Sequence, residues 1–287
     1  MFNSGRNGCA NSRSGAGSTG LTKHLKTKYM QIAGIQKTTL VDYPGKVAAT
    51  IFTRGCSFRC GFCHNPELVI PEKFSGILFD EGELFSFLES RIGKLEAVCI
   101  TGGEPMIQSD IAEFIHKVKE MGFLVKLDTN GSRPTGLAPL ISSGDVDYIA
   151  MDIKTTLSKY SKTTGLSFRP RELCRTIGEI LPKDPSASVG MTDDKDTLIQ
   201  NIKKSISLIM NSGIDYEFRT TVCHPLHEVG DFEEIGKLIQ GAKRYYIQNF
   251  VETKQIDEKI KYDPFEDEEL EEARETMRKY VKEAGIR

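Results

Sequence analysis

The sequence predicts an α/β fold, organised as a partial (β/α)6 barrel of the TIM-like type. Three observations support this prediction. Short apolar runs alternate six times with segments of helical periodicity, as expected for a parallel sheet covered by helices. Six repeats are fewer than the eight of a closed barrel, which favours an open one. Polar motifs follow the apolar runs directly, at the edge of the sheet where barrel enzymes carry their chemistry.

The predicted strands are short apolar runs that end in polar segments. In chain order they cover residues 47–52, 97–100, 124–127, 148–151, 216–222 and 245–251. Because the carboxyl ends of parallel strands meet at one edge of a sheet, the polar segments that follow these runs are expected to lie side by side.

Helical periodicity separates the predicted strands. Asp80 and Asp231 are the predicted N-caps of two helices, since a glutamate follows each of them three residues later, as in a capping box. A last helix is predicted over about 266–284, because acidic residues crowd its first turns and lysines lie near its end, which matches the helix dipole.

Length and composition fit a single globular domain. The chain has 287 residues, 39% hydrophobic and 27% charged, with a formal net charge of −2. This charge gives no bulk attraction to nucleic acid or to an anionic membrane. No apolar run approaches the ~20 residues of a membrane span, and the start lacks the apolar core of a secretory signal. Seven cysteines without a framework of pairs suit a reducing compartment, so a cytoplasmic location is predicted.

The chain divides into two parts by composition. Residues 1–29 are rich in Gly, Ser, Asn, Lys and Arg and are predicted to be a disordered low-complexity tail. Residues 30–287 are predicted to form the barrel domain. Met30, where the patterned sequence begins, is a candidate for the true start of the protein.

Three cysteines lie within eight residues, with the spacing C-x-x-x-C-x-x-C: Cys56, Cys60 and Cys63. Three thiolates on one short loop are suited to hold three irons of a [4Fe–4S] cluster, and the usual fourth cysteine is missing. One iron is then open to a ligand that is not protein. A disulfide leaves one thiol over. A structural zinc site needs a fourth ligand, and His64 follows Cys63 so directly that it would strain a tetrahedron.

The other cysteines are scattered. Cys99, Cys174 and Cys223 are predicted to be core thiols, and Cys9 lies in the predicted tail.

A Gly-Gly-Glu-Pro segment, residues 102–105, follows the strand after the cysteine loop. Alone it is a weak motif, for which an ordinary turn is the simpler interpretation. One strand after the cysteines it is a strong one, because the two loops should lie together and a glycine pair lets a ligand approach the backbone.

Together these motifs resemble those of radical S-adenosylmethionine (radical SAM) enzymes. The stretch from about 32 to 252 is similar to anaerobic ribonucleotide reductase activating proteins, in the group that includes pyruvate formate-lyase activating enzymes. The resemblance is carried by Gly-Ile-Gln-Lys-Thr-Thr-Leu-Val-Asp-Tyr-Pro-Gly at 34–45, by the loop 60–68, and by 127–131, 151–154 and 218–222. The fold that it implies is a partial (β/α)6 barrel of the radical SAM type, in agreement with the strand count.

The resemblance implies roles for individual residues. The three cysteines would hold the cluster, Phe62 would contact adenine, and Gly102, Gly103 and Glu104 would bind the amino group of SAM. The further residues expected at the SAM site are Cys63, His64, Asp128, Asp152, Lys154 and Arg219.

The two predicted site carboxylates need a positive charge close by if both are to be ionised. Asp128 and Asp152 would repel each other unless a cation or the sulfonium of SAM lies between them, and in the related enzymes a monovalent cation is the expected partner. The residues alone also allow simpler roles: Asp128 as a turn cap, Lys154 as a solvated lysine and Arg219 as the neutraliser of a strand-end acid. His224 and His227 follow the fifth predicted strand and are within reach of the site.

The activity implied by the resemblance is that of a radical SAM activase. It would cleave SAM reductively and generate a glycyl radical on a partner, with anaerobic ribonucleotide reductase as the expected partner and a flavodoxin or ferredoxin-type protein as the electron donor. Two alternatives remain open at this point. One is a radical SAM enzyme acting on a small molecule or nucleobase, such as a deazapurine synthase. The other is a non-catalytic iron–sulfur or zinc protein.

Overall fold

The computed structural model of the protein describes residues 30–70, 73–165, 195–252 and 254–287. The predicted tail, residues 1–29, lies outside the described residues, and so does Cys174. The division into a tail and a barrel domain therefore stays a prediction.

A single eight-stranded sheet forms the centre of the described part of the molecule. Its strands follow one another in chain order from one edge to the other: β1 (Ile32–Thr39), β2 (Ala48–Thr53), β3 (Ala97–Gly102), β4 (Leu124–Thr129), β5 (Tyr148–Asp152), β6 (Asp215–Val222), β7 (Arg244–Asn249) and β8 (Glu283–Ile286). Strands β2 to β8 pair in parallel, and β1 pairs antiparallel to β2. The first and last strands do not pair, so the sheet is an open barrel, which confirms the predicted fold class.

The helices that the structure describes lie between and after these strands. They are α1 (Pro66–Val69), α2 (Glu81–Glu89), α3 (Ile111–Glu120), α4 (Pro134–Ser143), α5 (Tyr160–Thr163), α6 (Lys195–Met210), α7 (Asp231–Leu238) and α8 (Asp267–Met277), with a short 3-10 turn over Pro105–Ile107. None of the helices in this part of the chain is long and apolar enough to cross a membrane.

The predicted last helix is wrong at its end. Helix α8 stops at Met277, and the residues up to 284 do not continue it. The backbone of 282–283 instead donates hydrogen bonds to Ala242 and Lys243, and β8 then pairs with β7. The unpaired edge of β7 thus offers the chain a ladder of hydrogen bonds, and this outweighs the helical periodicity.

Of the two predicted N-caps, one is confirmed and one is wrong. Asp80 Oδ1 accepts a hydrogen bond from Glu83 N–H at 3.1 Å, as a cap should. Asp231 is already the first residue of α7. Its carboxylate accepts from Glu228 N–H and pairs with Lys159 Nζ at 2.8 Å, so it fixes the loop before the helix.

The two faces of the sheet differ in side-chain size, and this difference positions the site. The outer face carries large apolar residues that pack against the helices. The inner face carries small residues such as Ala97 and Ala150, and the rings of Tyr43 and Tyr148, 5.7 Å apart, fill its amino-terminal end. Because the side chains of the inner face are small, long charged side chains fit at the carboxyl end of the sheet.

Candidate functional site

The cysteine loop, residues 54–65, joins β2 to α1 at the carboxyl end of the sheet. Backbone hydrogen bonds fix it on both sides. Gly55 N–H donates to the Leu68 carbonyl oxygen at 2.7 Å, and Arg59 N–H donates to that of Thr164 at 2.8 Å. The loop is therefore held to α1 and to the end of α5 as well as to its own strand.

One cavity of about 270 Å³ opens at this end of the sheet. Every site residue predicted from the sequence lines it: Cys56, Cys60, Phe62, Cys63, His64, Gly102, Gly103, Glu104, Asp128, Asp152, Lys154 and Arg219. The structure thus brings together residues that are up to 163 positions apart in the chain. That these residues bind a cofactor stays a prediction.

Cys60 is buried, and Cys56 and Cys63 are partly buried. Burial raises the pKa of both Cys56 and Cys60 to about 12, and it also raises the pKa of Cys63. A metal ligand must be the thiolate. Binding of a metal by these thiols is therefore expected to release their protons, so that metal affinity depends on pH.

The glycine pair of the Gly-Gly-Glu-Pro segment lies against the cysteine loop. A Cβ on Gly103 would lie 1.8 Å from the Gly55 carbonyl oxygen, and one on Gly102, whose φ is +114°, would lie 2.4 Å from Thr53 N. Gly103 N–H also donates to the Thr53 carbonyl oxygen at 2.9 Å. The close approach for which these glycines are needed is therefore to the chain's own backbone.

Glu104 is buried and turned toward the end of β4. Its Oε1 accepts from Met106 N–H at 3.1 Å and from the Thr129 hydroxyl at 2.7 Å, and its Oε2 accepts from Asn130 N–H at 2.6 Å. Burial raises the pKa of Glu104 to about 7 despite these three donors. A carboxylate offers about four acceptor positions, so one is left on the side of the cavity.

Five side chains form a charged network across three strands. Lys126 Nζ lies 2.5 Å from Asp128 Oδ1, and Arg219 Nη2 lies 3.0 Å from Asp128 Oδ2. Arg219 Nε then contacts Asp152 Oδ1 at 2.5 Å, and Lys154 Nζ lies 2.9 Å from Asp152 Oδ2. Three cations face two anions, which leaves one excess positive charge beside the thiols.

The network stabilises its charged forms. Burial alone would raise the pKa of Asp128 and Asp152, but the cations, Arg219 above all, hold both below their usual range. Burial would lower the pKa of Lys154, but Asp152 raises it instead. The charge that the sequence analysis expected between the two acids is thus provided by Arg219, and a monovalent cation at this position stays a prediction.

Only one of the two histidines expected near the site lies beside it. His227 is buried, and its Nε2 donates to the Lys154 carbonyl oxygen at 2.8 Å, which leaves Nδ1 to accept from Cys223 N–H at 3.1 Å. Its ring also meets the edge of Phe62, with centroids 6.0 Å apart. His224 contacts Glu269 instead and does not line the cavity.

His64 lies at the rim of the cavity. Its ring packs against Phe250 with centroids 5.5 Å apart, and burial of part of the ring together with Lys154 lowers its pKa. Within the described residues, no three His, Cys, Asp or Glu side chains converge on a position for a single metal ion.

Several residues of the cavity wall were not predictable from the sequence. Thr221 and Gln248 line it from the carboxyl ends of β6 and β7, and Asn130 lines it from the loop after β4. Position alone, at the ends of parallel strands, was the available signal. Lys126 lies inside β4, three residues before its end, and belongs to no motif, so no pattern in the sequence predicts it.

The residues present fit an iron–sulfur cluster with a small-molecule ligand. The donors are three thiols on one loop, Cys60 buried and Cys56 and Cys63 partly buried. They line a cavity of a size just below the roughly 300–1,000 Å³ typical of ligand sites. Four members of the charged network, Asp128, Asp152, Lys154 and Arg219, line the same cavity, and their charges supply partners for a zwitterion.

Comparisons with known proteins identify the family of the chain. The family model of the radical SAM superfamily matches residues 50–239. A protein of Methanocaldococcus jannaschii, described as a candidate glycyl-radical enzyme activating enzyme, is 31% identical over 258 residues, which cover 89% of this chain and 95% of that one.

Two further similarities are less extensive. The pyruvate formate-lyase-activating enzyme of Listeria monocytogenes is 30% identical over 49% of this chain and 60% of its own. Among solved structures, Streptococcus suis SuiB bound to S-adenosylmethionine superposes with a TM-score of 0.54 at 14% identity, over 80% of this chain and 48% of SuiB. At this identity the superposition shows a shared fold.

Proposed function

Because the chain belongs to the radical SAM superfamily, we propose that it is an activase that generates a glycyl radical on a partner enzyme. One observation carries the proposal: the similarity to a glycyl-radical enzyme activating enzyme extends over nearly the whole of both chains. The site supports it, since the cysteine loop and the charged network open on one cavity.

The cofactors of the proposed activity are a [4Fe–4S] cluster and SAM, which when bound supply the one-electron reductive cleavage of SAM. Cys56, Cys60 and Cys63 would each hold one iron and leave the fourth to SAM. No residue of the cavity need act as a general base, because the proposed reaction moves a hydrogen atom rather than a proton.

The chain's own contribution is to bind and orient SAM. Glu104 keeps one acceptor position for an amino group, and the excess positive charge of the network suits a carboxylate. Phe62 offers an apolar ring for adenine, and His227 fixes both that ring and the backbone of Lys154.

The partner of the proposed reaction is a glycine-containing loop of another protein. In the described part of the chain the edge strands β1 and β8 do not pair with each other, so the sheet is open on the side on which such a loop would enter. We propose anaerobic ribonucleotide reductase as the partner, with a flavodoxin or ferredoxin-type protein as the electron donor. The resemblance of 34–45 and of the cysteine loop to the reductase activators supports this choice.

Isotope transfer tests the proposed reaction. An anaerobic ribonucleotide reductase labelled with deuterated glycine is mixed with reduced, iron-loaded protein and SAM. We expect deuterium in the 5′-deoxyadenosine that is released. With unlabelled reductase, the EPR signal should be a doublet from the one remaining α-hydrogen, and the deuterium label should collapse it.

A different source of hydrogen would contradict the activase. Deuterium that reaches 5′-deoxyadenosine from a labelled small molecule or nucleobase, and not from the reductase, would favour the small-substrate alternative. No SAM cleavage at all by reduced, iron-loaded protein would favour a non-catalytic iron–sulfur protein.

The SAM contact proposed for Lys154 predicts a loss of affinity. In Lys154→Met the affinity for SAM should fall about tenfold, equivalent to about 1.4 kcal/mol, because a charged hydrogen-bond donor is removed. The dissociation constant is read from the change that SAM causes in the EPR spectrum of the reduced cluster. Lys159→Met, which removes a lysine that pairs with Asp231 outside the cavity, is the matched control. Unchanged SAM binding by iron-loaded Lys154→Met would show that Lys154 does not contact SAM.

A further inference from the structure

Asn130 lies between the Gly-Gly-Glu-Pro segment and the cysteine loop. It follows β4 directly, and its side chain is 4% exposed. Its backbone N–H donates to Glu104 Oε2 at 2.6 Å, and its Oδ1 accepts from Ser132 N–H at 2.9 Å. Both the backbone of Asn130 and its side-chain oxygen are therefore held in place by hydrogen bonds.

These contacts fix the direction of the amide. Since Oδ1 is taken by a backbone N–H, the NH2 group must point the other way. It lies 3.0 Å from Ser57 Oγ and 3.7 Å from Cys56 Sγ, and it can donate one hydrogen to each. Cys56 Sγ also accepts from Phe58 N–H at 3.3 Å. Asn130 thus directs a side-chain donor at a sulfur that the proposed function makes an iron ligand.

We infer that Asn130 raises the reduction potential of the cluster by donating a hydrogen bond to Cys56 Sγ. The inference rests on the proposed function, in that it requires iron at Cys56. Reduction adds one electron to the cluster and so increases the negative charge on its sulfur ligands. An N–H dipole pointing at one of them stabilises the reduced form more than the oxidised form.

The neighbours of the Asn130 amide are themselves held by hydrogen bonds, which fixes the position of the donor. The hydroxyl of Ser57, which shares the amide, is itself 2.9 Å from the Ser132 hydroxyl. A donor that is held in place before reduction needs no rearrangement when the electron arrives. Asn130 therefore acts through Cys56, by stabilising the negative charge that reduction adds to the cluster. It need not touch SAM or the substrate.

The midpoint potential of the reconstituted full-length protein tests this role. Asn130→Leu removes the donor at similar volume, and Asn130→Asp keeps the acceptor for Ser132 N–H but places a carboxylate oxygen toward the sulfur. We expect the equilibrium for reduction to fall about three- to tenfold in Asn130→Leu, or roughly 30–60 mV for a one-electron couple, and further in Asn130→Asp. The potential is measured by redox titration of the EPR signal.

Ser132→Ala is the matched control, because it removes the hydroxyl contact to Ser57 and leaves the amide on Cys56. Its potential should equal that of the parent. A parent-like potential in iron-loaded Asn130→Leu would overturn the inference while the proposed function stands. So would an equal shift in Ser132→Ala. Loss of iron from both Asn130 variants would also overturn it, since the residue would then hold the cluster rather than set its potential.

A second measurement needs no substitution of Asn130. In the parent protein, with 15N confined to asparagine side chains, pulsed EPR of the reduced cluster should detect a weak 15N coupling. It should persist in Asn65→Asp, which removes the other asparagine that lines the cavity beside the cysteines. Absence of the coupling would contradict the hydrogen bond. A parent protein that binds no cluster would instead contradict the proposed function.

Discussion

Cys60→Ala is expected to abolish cluster binding. Cys60 is buried in the middle of the cysteine loop, and two remaining thiols cannot hold three irons. After anaerobic reconstitution, iron and sulfide content should fall to near zero, the broad absorbance of the cluster should be lost, and SAM cleavage should stop. Cys56→Ala and Cys63→Ala should behave in the same way.

The scattered cysteines provide the controls. Cys99 and Cys223 are buried and do not line the cavity. Cys99→Ala and Cys223→Ala should each keep the parent's iron content, at a cost of about 1 kcal/mol in the free energy of unfolding for the small cavity left behind. Full iron retention in Cys60→Ala would refute the cluster assignment, whatever the controls show.

Arg219→Met is expected to destabilise the fold strongly. Arg219 contacts both Asp128 and Asp152, and its removal leaves two partly buried carboxylates with one lysine each. Removing one partner from a fully buried charge network costs about 3–5 kcal/mol, so a cost near the lower end, about 3 kcal/mol, is expected here. The free energy of unfolding, from denaturant titration at neutral pH, is the measurement. Arg278→Met, which breaks an exposed pair with Glu275 on α8, should cost no more than about 0.5 kcal/mol.

The destabilisation should depend on pH with a definite sign. Asp128 and Asp152 have folded-state pKa values below the usual range, so their contribution to stability is present at neutral pH and is lost as the pH falls through the folded pKa. Without Arg219 the carboxylates take up protons at higher pH in the folded state. The difference between parent and variant should therefore shrink as the pH is lowered below about 4. A difference independent of pH would mean that Arg219 acts through packing alone.

The sequence was sufficient to predict the six central strands and twelve of the residues that line the cavity. Each of those strands is a short apolar run, and the cysteine and Gly-Gly-Glu-Pro motifs follow consecutive ones. Since parallel strands end at the same edge, order along the chain determines which motifs become neighbours. No knowledge of long-range contacts was needed for that part.

The edges of the sheet were not predictable in the same way. Strand β1 contains the polar run Gln36-Lys37-Thr38, and β8 follows a helix whose periodicity runs on past its end. Both are strands because they complete the hydrogen bonding of a neighbour, and a neighbour is a property of the folded state.

The partners of buried polar groups also had to come from the structure. Nothing in a single sequence shows that Arg219 bridges two acids or that Lys126 adds a third cation. The orientation of the Asn130 amide depends on a backbone N–H two residues later and on a thiol 74 residues earlier. Such geometry follows from packing, which sequence patterns do not encode.

The contact between Gly103 and Gly55 bears on attempts to transplant this centre into a designed barrel. With 1.8 Å between a hypothetical Cβ and a carbonyl oxygen, neither turn can be copied without the other. Glu104 then ties the same turn to the backbone of Asn130 in the next connection. A graft of the cysteine loop alone would lack the surfaces that hold its shape. The smallest unit that can be moved to a new scaffold is therefore three successive strand-to-helix connections, taken with the spacing of their strands.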